Sequence, residues 1–260
     1  FTSQLQQDSD VEAQLESIRY FEDVIIHSSN NSQVYSSILT RTAMDDRYFY
    51  GIRLEACSAL GRYIVKDSEP NNFSGGSVHL IKVFQNLFCY QDSNVPLNND
   101  FTNFQNYFLQ KGIPQYLNLV KNERNETPEF VKKFLLDVLT YNENSDNPYD
   151  DSYYLCTLID VVVSCAISNS GDKKYLEKVI EQIHRYDNLE KWTPTYQLLV
   201  RKATILAKLR LTMAGLYDLH DLSEIASETL EEEFSSNTSV VPRLREGSQD
   251  ITLASFELLL

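Results

Sequence analysis

The sequence is short of the residues that interrupt a chain. Its 260 residues include 8 glycines and 7 prolines, too few for the turn density of a β-sandwich or barrel. Cysteine is scarce as well. Cys57, Cys89, Cys156 and Cys165 are widely spaced, lie in apolar surroundings and form no CxxC, so they are expected as reduced core thiols rather than a disulfide framework or a zinc site. Positive charge is outnumbered: 23 Lys+Arg stand against 37 Asp+Glu, a formal net charge of -14. Affinity for a phosphate backbone comes mainly from Lys and Arg, which argues against a self-sufficient nucleic-acid binder. The longest apolar run, within Leu155 to Ile167, is too short and interrupted to span a bilayer. No membrane contact is expected. The chain opens at Phe1 without a Met or a signal peptide and closes on Leu258-Leu259-Leu260, which reads as an internal piece of something longer. Four Asn-x-Ser/Thr sequons, at Asn30, Asn72, Asn125 and Asn237, are taken as chance in an Asn- and Ser-rich chain.

What the sequence does contain is helical periodicity. With 42% hydrophobic and 23% charged residues, it has the composition of a globular chain with a sizeable core. Ile52, Ala56, Ala59, Leu60, Tyr63 and Ile64 share one helical face, with Arg53, Glu55, Ser58 and Arg62 expected on the wet side. Val131, Phe134, Leu135, Val138 and Leu139 repeat the pattern, as do Leu176, Val179, Ile180 and Ile183. Thr127-Pro128 and Thr193-Pro194 each read as a hydroxyl N-cap followed by proline at the first helical position. Tyr153 to Ala166 is apolar almost all round and predicts a helix buried between neighbours.

The intervening breaks, at 67–77, 91–100, 141–151, 169–172 and 234–241, are short and polar, without the length of an interdomain linker. About ten helices on short connections fit an all-α fold. Helices opening at Asp10-Val11, after Asp46 and at Asp250-Ile251 share an acid, a β-branched residue and small residues, as a HEAT-type inner helix requires. A helical bundle and an α-solenoid both fit these helices, and their similarity favours the solenoid without fixing its repeat class.

No catalytic constellation is present in the sequence: it lacks HExxH, GxSxG, a Walker A motif and GxGxxG. His27, His79, His184 and His220 have no second His or Cys at i+3 or i+4. The acidic pairs Asp45-Asp46 and Asp150-Asp151 stand where helices begin, and capping accounts for them. A non-enzymatic chain without catalytic, metal-ligating or cofactor-binding residues is expected.

Charge is unevenly spread. Between Asp172 and Arg210 nine Lys/Arg stand against five Asp/Glu, whereas Leu211 to Pro242 holds seven acids and no Lys or Arg. One reading is two solvated helix faces followed by an acidic loop. The other is a basic surface for an acidic partner or nucleic-acid backbone, with Lys173, Lys174, Lys178, Arg201 and Lys202 as the candidate residues. Aromatics cluster at Tyr48-Phe49-Tyr50 and at Phe101, Phe104, Tyr107 and Phe108, with Trp192 ahead of a helix cap. Core filling is expected, since Phe101, Phe104 and Phe108 fall on one helical face by spacing. A protein-docking patch is the alternative.

The strings YFYGIRLEACSAL (Tyr48 to Leu60), NNDFTNFQNYFLQKGIP (Asn98 to Pro114) and DVLTYNENSDNPYDDSYYLCTLID (Asp137 to Asp160), with L-E-K-x-x-P-T-Y at Leu189 to Tyr196, resemble the TBP-associated factor 2 family. The order and spacing agree over Asp8 to Leu211. The resemblance implies a HEAT-like superhelix that follows a non-catalytic, aminopeptidase-like part, within the nuclear general transcription factor TFIID. Together with the helical pattern, the expectation is a HEAT/ARM-like α-solenoid of stacked antiparallel helix pairs, one helical-repeat region over residues 1–260. The resemblance further implies a scaffold role in core-promoter recognition and in assembly of the RNA polymerase II preinitiation complex. TBP and TBP-associated factors 1, 6 and 8 are the implied partners, and promoter contact would come through other parts of the parent protein. Two alternatives stand beside it: the C-terminal helical domain of an active gluzincin aminopeptidase, and a transport-receptor-like solenoid.

Overall fold

The computed structural model describes residues 1–27, 32–62, 75–122 and 124–218. Within them the chain is all-α, of the helical-repeat class. Ten α-helices lie among the described residues, and the extended pairing among them is one isolated bridge, Cys89 to Pro96. Two compact units divide the chain, Phe1–Tyr149 and Asp150–Leu260. The helix expected after Asp250, the core positions Tyr63 and Ile64, His220, the break at 234–241 and the sequons at Asn30, Asn72 and Asn237 lie outside the described residues.

The first unit contains α1 (Thr2–Gln7), α2 (Val11–His27), α3 (Ser32–Met44), α4 (Tyr50–Arg62), α5 (Gly76–Phe88), α6 (Phe104–Asn118) and α7 (Glu129–Thr140). At its centre is α4, which packs against α2, α3, α5 and α6. Small residues allow this. Ala56 and Ala59 are fully enclosed, and two glycines bring backbone onto backbone. A Cβ at Gly76 would lie 2.0 Å from the Leu60 carbonyl oxygen, and one at Gly61 would lie 2.9 Å from that of Tyr116.

The wet face expected for α4 is only partly wet. Arg62 is exposed and Glu55 half-buried, but Arg53 is 1% exposed and Ser58 is buried, because four neighbouring helices leave little of α4 free. Arg53 resolves the resulting burden by donating from Nε to the Ala43 carbonyl at 3.0 Å. That carbonyl belongs to the last turn of α3, where helix carbonyls lack intrahelical donors and the dipole favours a cation.

Val131, Phe134, Leu135, Val138 and Leu139 of α7 are all buried as the periodicity predicts, with Phe134 edge-on to Phe84 of α5 at 5.4 Å. The start of α7 differs in detail. Pro128 is the N-cap, and the Thr127 hydroxyl accepts a hydrogen bond from Lys121 Nζ at 2.7 Å.

The second unit contains α8 (Ser152–Ser168), α9 (Lys173–Trp192), a 3-10 turn (Tyr196–Leu198) and α10 (Leu199–Met213), each helix packing on the other two. α8 is buried around most of its circumference, from Tyr154 to Ala166. Asp150 opens it by accepting from the Ser152 amide at 2.6 Å and from the Ser152 hydroxyl. The second predicted N-cap is a C-cap instead. Thr193 closes α9, its hydroxyl donating to the Leu189 carbonyl at 3.1 Å. Glu190 then takes both the amide and the hydroxyl of Thr195. Gln197 and Leu198 adopt left-handed backbone angles (φ 56° and 52°) before α10 begins.

Candidate interaction surfaces

Among the described residues no three His, Cys, Asp or Glu side chains gather as a metal-binding group, and no helix is long and apolar enough to cross a membrane. None of the four cysteines is in a disulfide. Burial pushes Cys57 and Cys89 up to about 12, so neither is a thiolate nucleophile at neutral pH. His79 is half-buried, its pKa lowered by burial and by Lys82. His184 is exposed, with the Tyr217 hydroxyl 3.4 Å from Nε2. What the chain offers is surface.

The basic candidates separate into two groups. Lys173, Lys174 and Lys178 are exposed on the first turns of α9, and Lys174, Lys178, Glu181 and Arg185 follow one another at helical spacing on its outer side. Lys202 is half-buried on α10, and Arg201 is only 9% exposed. Arg201 therefore belongs with the packed side of α10, because Thr204, Ile205 and Lys208 on its i+3, i+4 and i+7 positions all face inward. Beneath this surface lies a buried ion pair. Lys208 Nζ donates to Asp187 Oδ2 at 2.9 Å, and the Thr204 hydroxyl donates to Asp187 Oδ1 at 3.1 Å. Burial alone would raise the Asp187 pKa; the Lys208 charge and the donated bonds outweigh it, and the carboxyl sits below its ordinary range. Glu190, with Thr195 as its only polar contact of this kind among the described residues, is held above its ordinary range by burial. Trp192, at the end of α9, is 86% exposed.

The aromatic clusters are surface features, not core. Only Phe101 of the expected face is buried; Phe104 is 63% exposed, and Phe49, Phe108 and Tyr149 are exposed too. The reason is a helix start. Asn103 caps α6, its side chain accepting from the amides of Gln105 and Asn106. Phe101 therefore precedes the helix and turns inward, where its ring meets Tyr107 at 4.7 Å, while Phe104 and Phe108 fall on the outer side of the first turns. The rings form a ledge. Phe49 contacts Tyr50 at 4.5 Å, Tyr50 stacks on Phe108 at 4.9 Å and 21°, and Phe104 lies 6.4 Å from Tyr149. Next to it is a cleft of about 420 Å³ lined by Gln6, Asp8, Val11, Arg47, Tyr48 and Phe49.

Amides hold the ledge's supports together. Buried Asn99 donates from Nδ2 to Asn142 and Asn144, both at 3.1 Å, accepts from Gln110 of α6 at 2.8 Å, and its backbone amide reaches the Glu143 carbonyl at 2.9 Å. Asn144 in turn donates to the Tyr149 carbonyl at 3.0 Å. Two loops and α6 are thus tied at one residue. The Asn98-Asn99-Asp100 and Tyr141-Asn142-Glu143-Asn144 strings owe their amide content to this network.

Comparison with known proteins places the chain. Residues 1–220 match the family model described as "TAF2-like, TPR repeats". The chain belongs to that family. It is 50% identical over 230 residues to Transcription initiation factor TFIID subunit 2 of Saccharomyces cerevisiae, a match covering 88% of this chain and 16% of that protein. The protein of the same name from Schizosaccharomyces pombe is 37% identical over 221 residues, covering 81% and 18%. That of Drosophila melanogaster is 32% identical over 213 residues, covering 76% and 16%. The chain thus spans less than a fifth of the length of these curated relatives. TPR and HEAT repeats are both built from stacked helix pairs, so the family's repeat type agrees with the helical-repeat class expected from the sequence.

Proposed function

We propose that this chain is a non-catalytic scaffold region of a nuclear TFIID subunit, supporting core-promoter recognition and assembly of the RNA polymerase II preinitiation complex. The observation that carries the reading is the 50% identity, over 88% of the chain, to a protein named as a TFIID subunit. Helices packed across short connections supply broad, rigid surfaces, which suits a scaffold. The names of the relatives do not favour an active gluzincin aminopeptidase. Residues 1–260 act as one helical-repeat region of the parent protein, and its neighbours are TBP-associated factors 1, 6 and 8, with TBP in the same assembly. Promoter DNA is met through other parts of the parent protein, since this chain carries a net charge of -14 and repels phosphates.

Within that role, Lys173, Lys174 and Lys178, with Lys202, form the surface for an acidic partner segment. The test replaces Lys173, Lys174 and Lys178 together with Glu in the full-length parent protein. Being exposed, the three changes should leave the melting temperature within a few degrees of wild type, because exposed substitutions each stay within roughly 0.5 kcal/mol. Co-purification should then lose one TFIID neighbour several-fold. Recovery of every subunit at wild-type stoichiometry would sink the surface assignment, and absence of TFIID subunits from the wild-type purification would sink the scaffold reading.

A further inference from the structure

We infer that the aromatic ledge of the first unit is a docking site for a basic, apolar segment of a partner protein. The argument rests on exposure, charge and the chemistry of ring faces, and is independent of the basic α9 surface. Four rings, Phe49, Phe104, Phe108 and Tyr149, are exposed on one helical unit, and an apolar patch of this sort marks an interaction site more often than a random surface. Two of the rings, Phe49 and Phe108, are packed in place. Tyr50 sandwiches against Phe108, and the Phe49 ring lies over Gly51 so closely that a Cβ there would come within 2.9 Å of it. Pre-ordered aromatics lose little entropy on binding, which makes them effective anchors.

The surroundings select the occupant. Asp45 and Asp46 stand four and three residues before Phe49, Asp100 four before Phe104 and Asp146 three before Tyr149. Asp8 lines the cleft beside Phe49. The nearby cations are Arg47, whose guanidinium is already engaged by Asp45 at 2.6 Å, and Lys111. Negative ring faces and excess carboxylates both attract cations. Nucleic-acid bases also stack on aromatic rings, but here their phosphates would meet carboxylates. A segment in which Arg or Lys alternates with apolar residues satisfies both features, its apolar side chains covering Phe104 and Phe108 and its cations facing Asp46, Asp100 and Asp146.

The experiment uses the full-length parent protein in its native assembly, with the photo-crosslinker benzoylphenylalanine in place of Tyr149 and mass spectrometry of the crosslinked peptide. The expected product is a peptide of another protein in which Lys and Arg outnumber Asp and Glu. A crosslink to the parent chain itself, to nucleic acid or to an acidic peptide overturns the inference, as does no crosslink. Phe104→Ala with Phe108→Ala should cut the crosslink at least tenfold at unchanged melting temperature. Asp46→Lys with Asp100→Lys should cut it to a similar extent, and an undiminished yield there would overturn the cationic occupant. None of these variants touches the α9 lysines, so the outcome is separable from that of the α9 test.

Discussion

The two units handle buried polarity in different ways. In the first, ion pairs keep at least one partner in solvent: Arg19 meets Glu12, Glu16 and Glu55, Arg62 meets Glu22, and buried Lys132 meets the exposed Glu129. Other interior polar ties are neutral, as at Asn99, or pair a cation with a backbone carbonyl, as at Arg53. In the second unit the ions themselves are inside. Lys208 is 1% exposed against Asp187, and Glu190 is buried on Thr195. Neutral hydrogen bonds survive changes of pH and charge, whereas a buried ion pair depends on both partners staying ionised. The first unit is therefore built to tolerate its surroundings and the second to respond to them.

The largest effect should follow from cutting the buried pair. Lys208→Met keeps the volume but strands the Asp187 carboxylate, at a cost of about 3–5 kcal/mol. Hydrogen exchange should show amides of α8, α9 and α10 losing protection while those of α4 and α5 keep theirs. Protonating the stranded carboxylate relieves the defect, so the deficit should shrink as pH falls. If Lys208→Met melts like wild type, the ion pair is not what holds the second unit. Adding Asp187→Leu to Lys208→Met should restore most of the loss, since both charges are then gone.

Arg53→Met is the matching change in the first unit and should cost less. It removes a cation whose partner is a neutral carbonyl, leaving the Ala43 oxygen without this donor at a cost of about 1–3 kcal/mol. Urea denaturation of the two variants side by side measures the contrast. Equal losses would mean that the carbonyl of α3 and the carboxylate of Asp187 are equivalent partners, and the distinction between the units would fail.

Much of this was legible in the sequence, and the failures share a cause. Apolar periodicity located α4, α7, α8 and α9, because burying a stripe of side chains is the strongest constraint on a helix. It misjudged Arg53, since a one-helix view assigns every polar position to water and cannot see a fourth neighbour. Thr193 looked like a start because its Pro follows at the favoured place; Glu190, three residues upstream, instead fastens Thr195 and ends the helix. The ledge was hidden by one missed boundary. Asn103 is a good N-cap, and reading it as one would have put Phe101 outside the helix and its neighbours on the surface. The α9 lysines were legible as a charge imbalance, but the inward turn of Arg201 depends on α10 starting only at Leu199.

Glu190 provides the finest test of the comparison, because it and Asp187 should respond to acid in opposite senses. Asp187 titrates below its unfolded value of about 3.9, so its contribution is present above that pH and drains away as pH falls through the folded value. Glu190 titrates above its unfolded value of about 4.3, so its contribution is complete below that pH and is lost as pH rises through the folded value. Glu190→Gln keeps a carbonyl oxygen to accept from the amide and hydroxyl of Thr195 while removing the charge. The variant should match wild type near pH 4 and exceed it near pH 7 by about 1 kcal/mol or less, read as melting temperature across that range. A variant less stable than wild type at pH 7 would mean that the ionised carboxylate is needed in place. The second unit would then depend on a third buried charge beside the Lys208–Asp187 pair, which would widen its difference from the first.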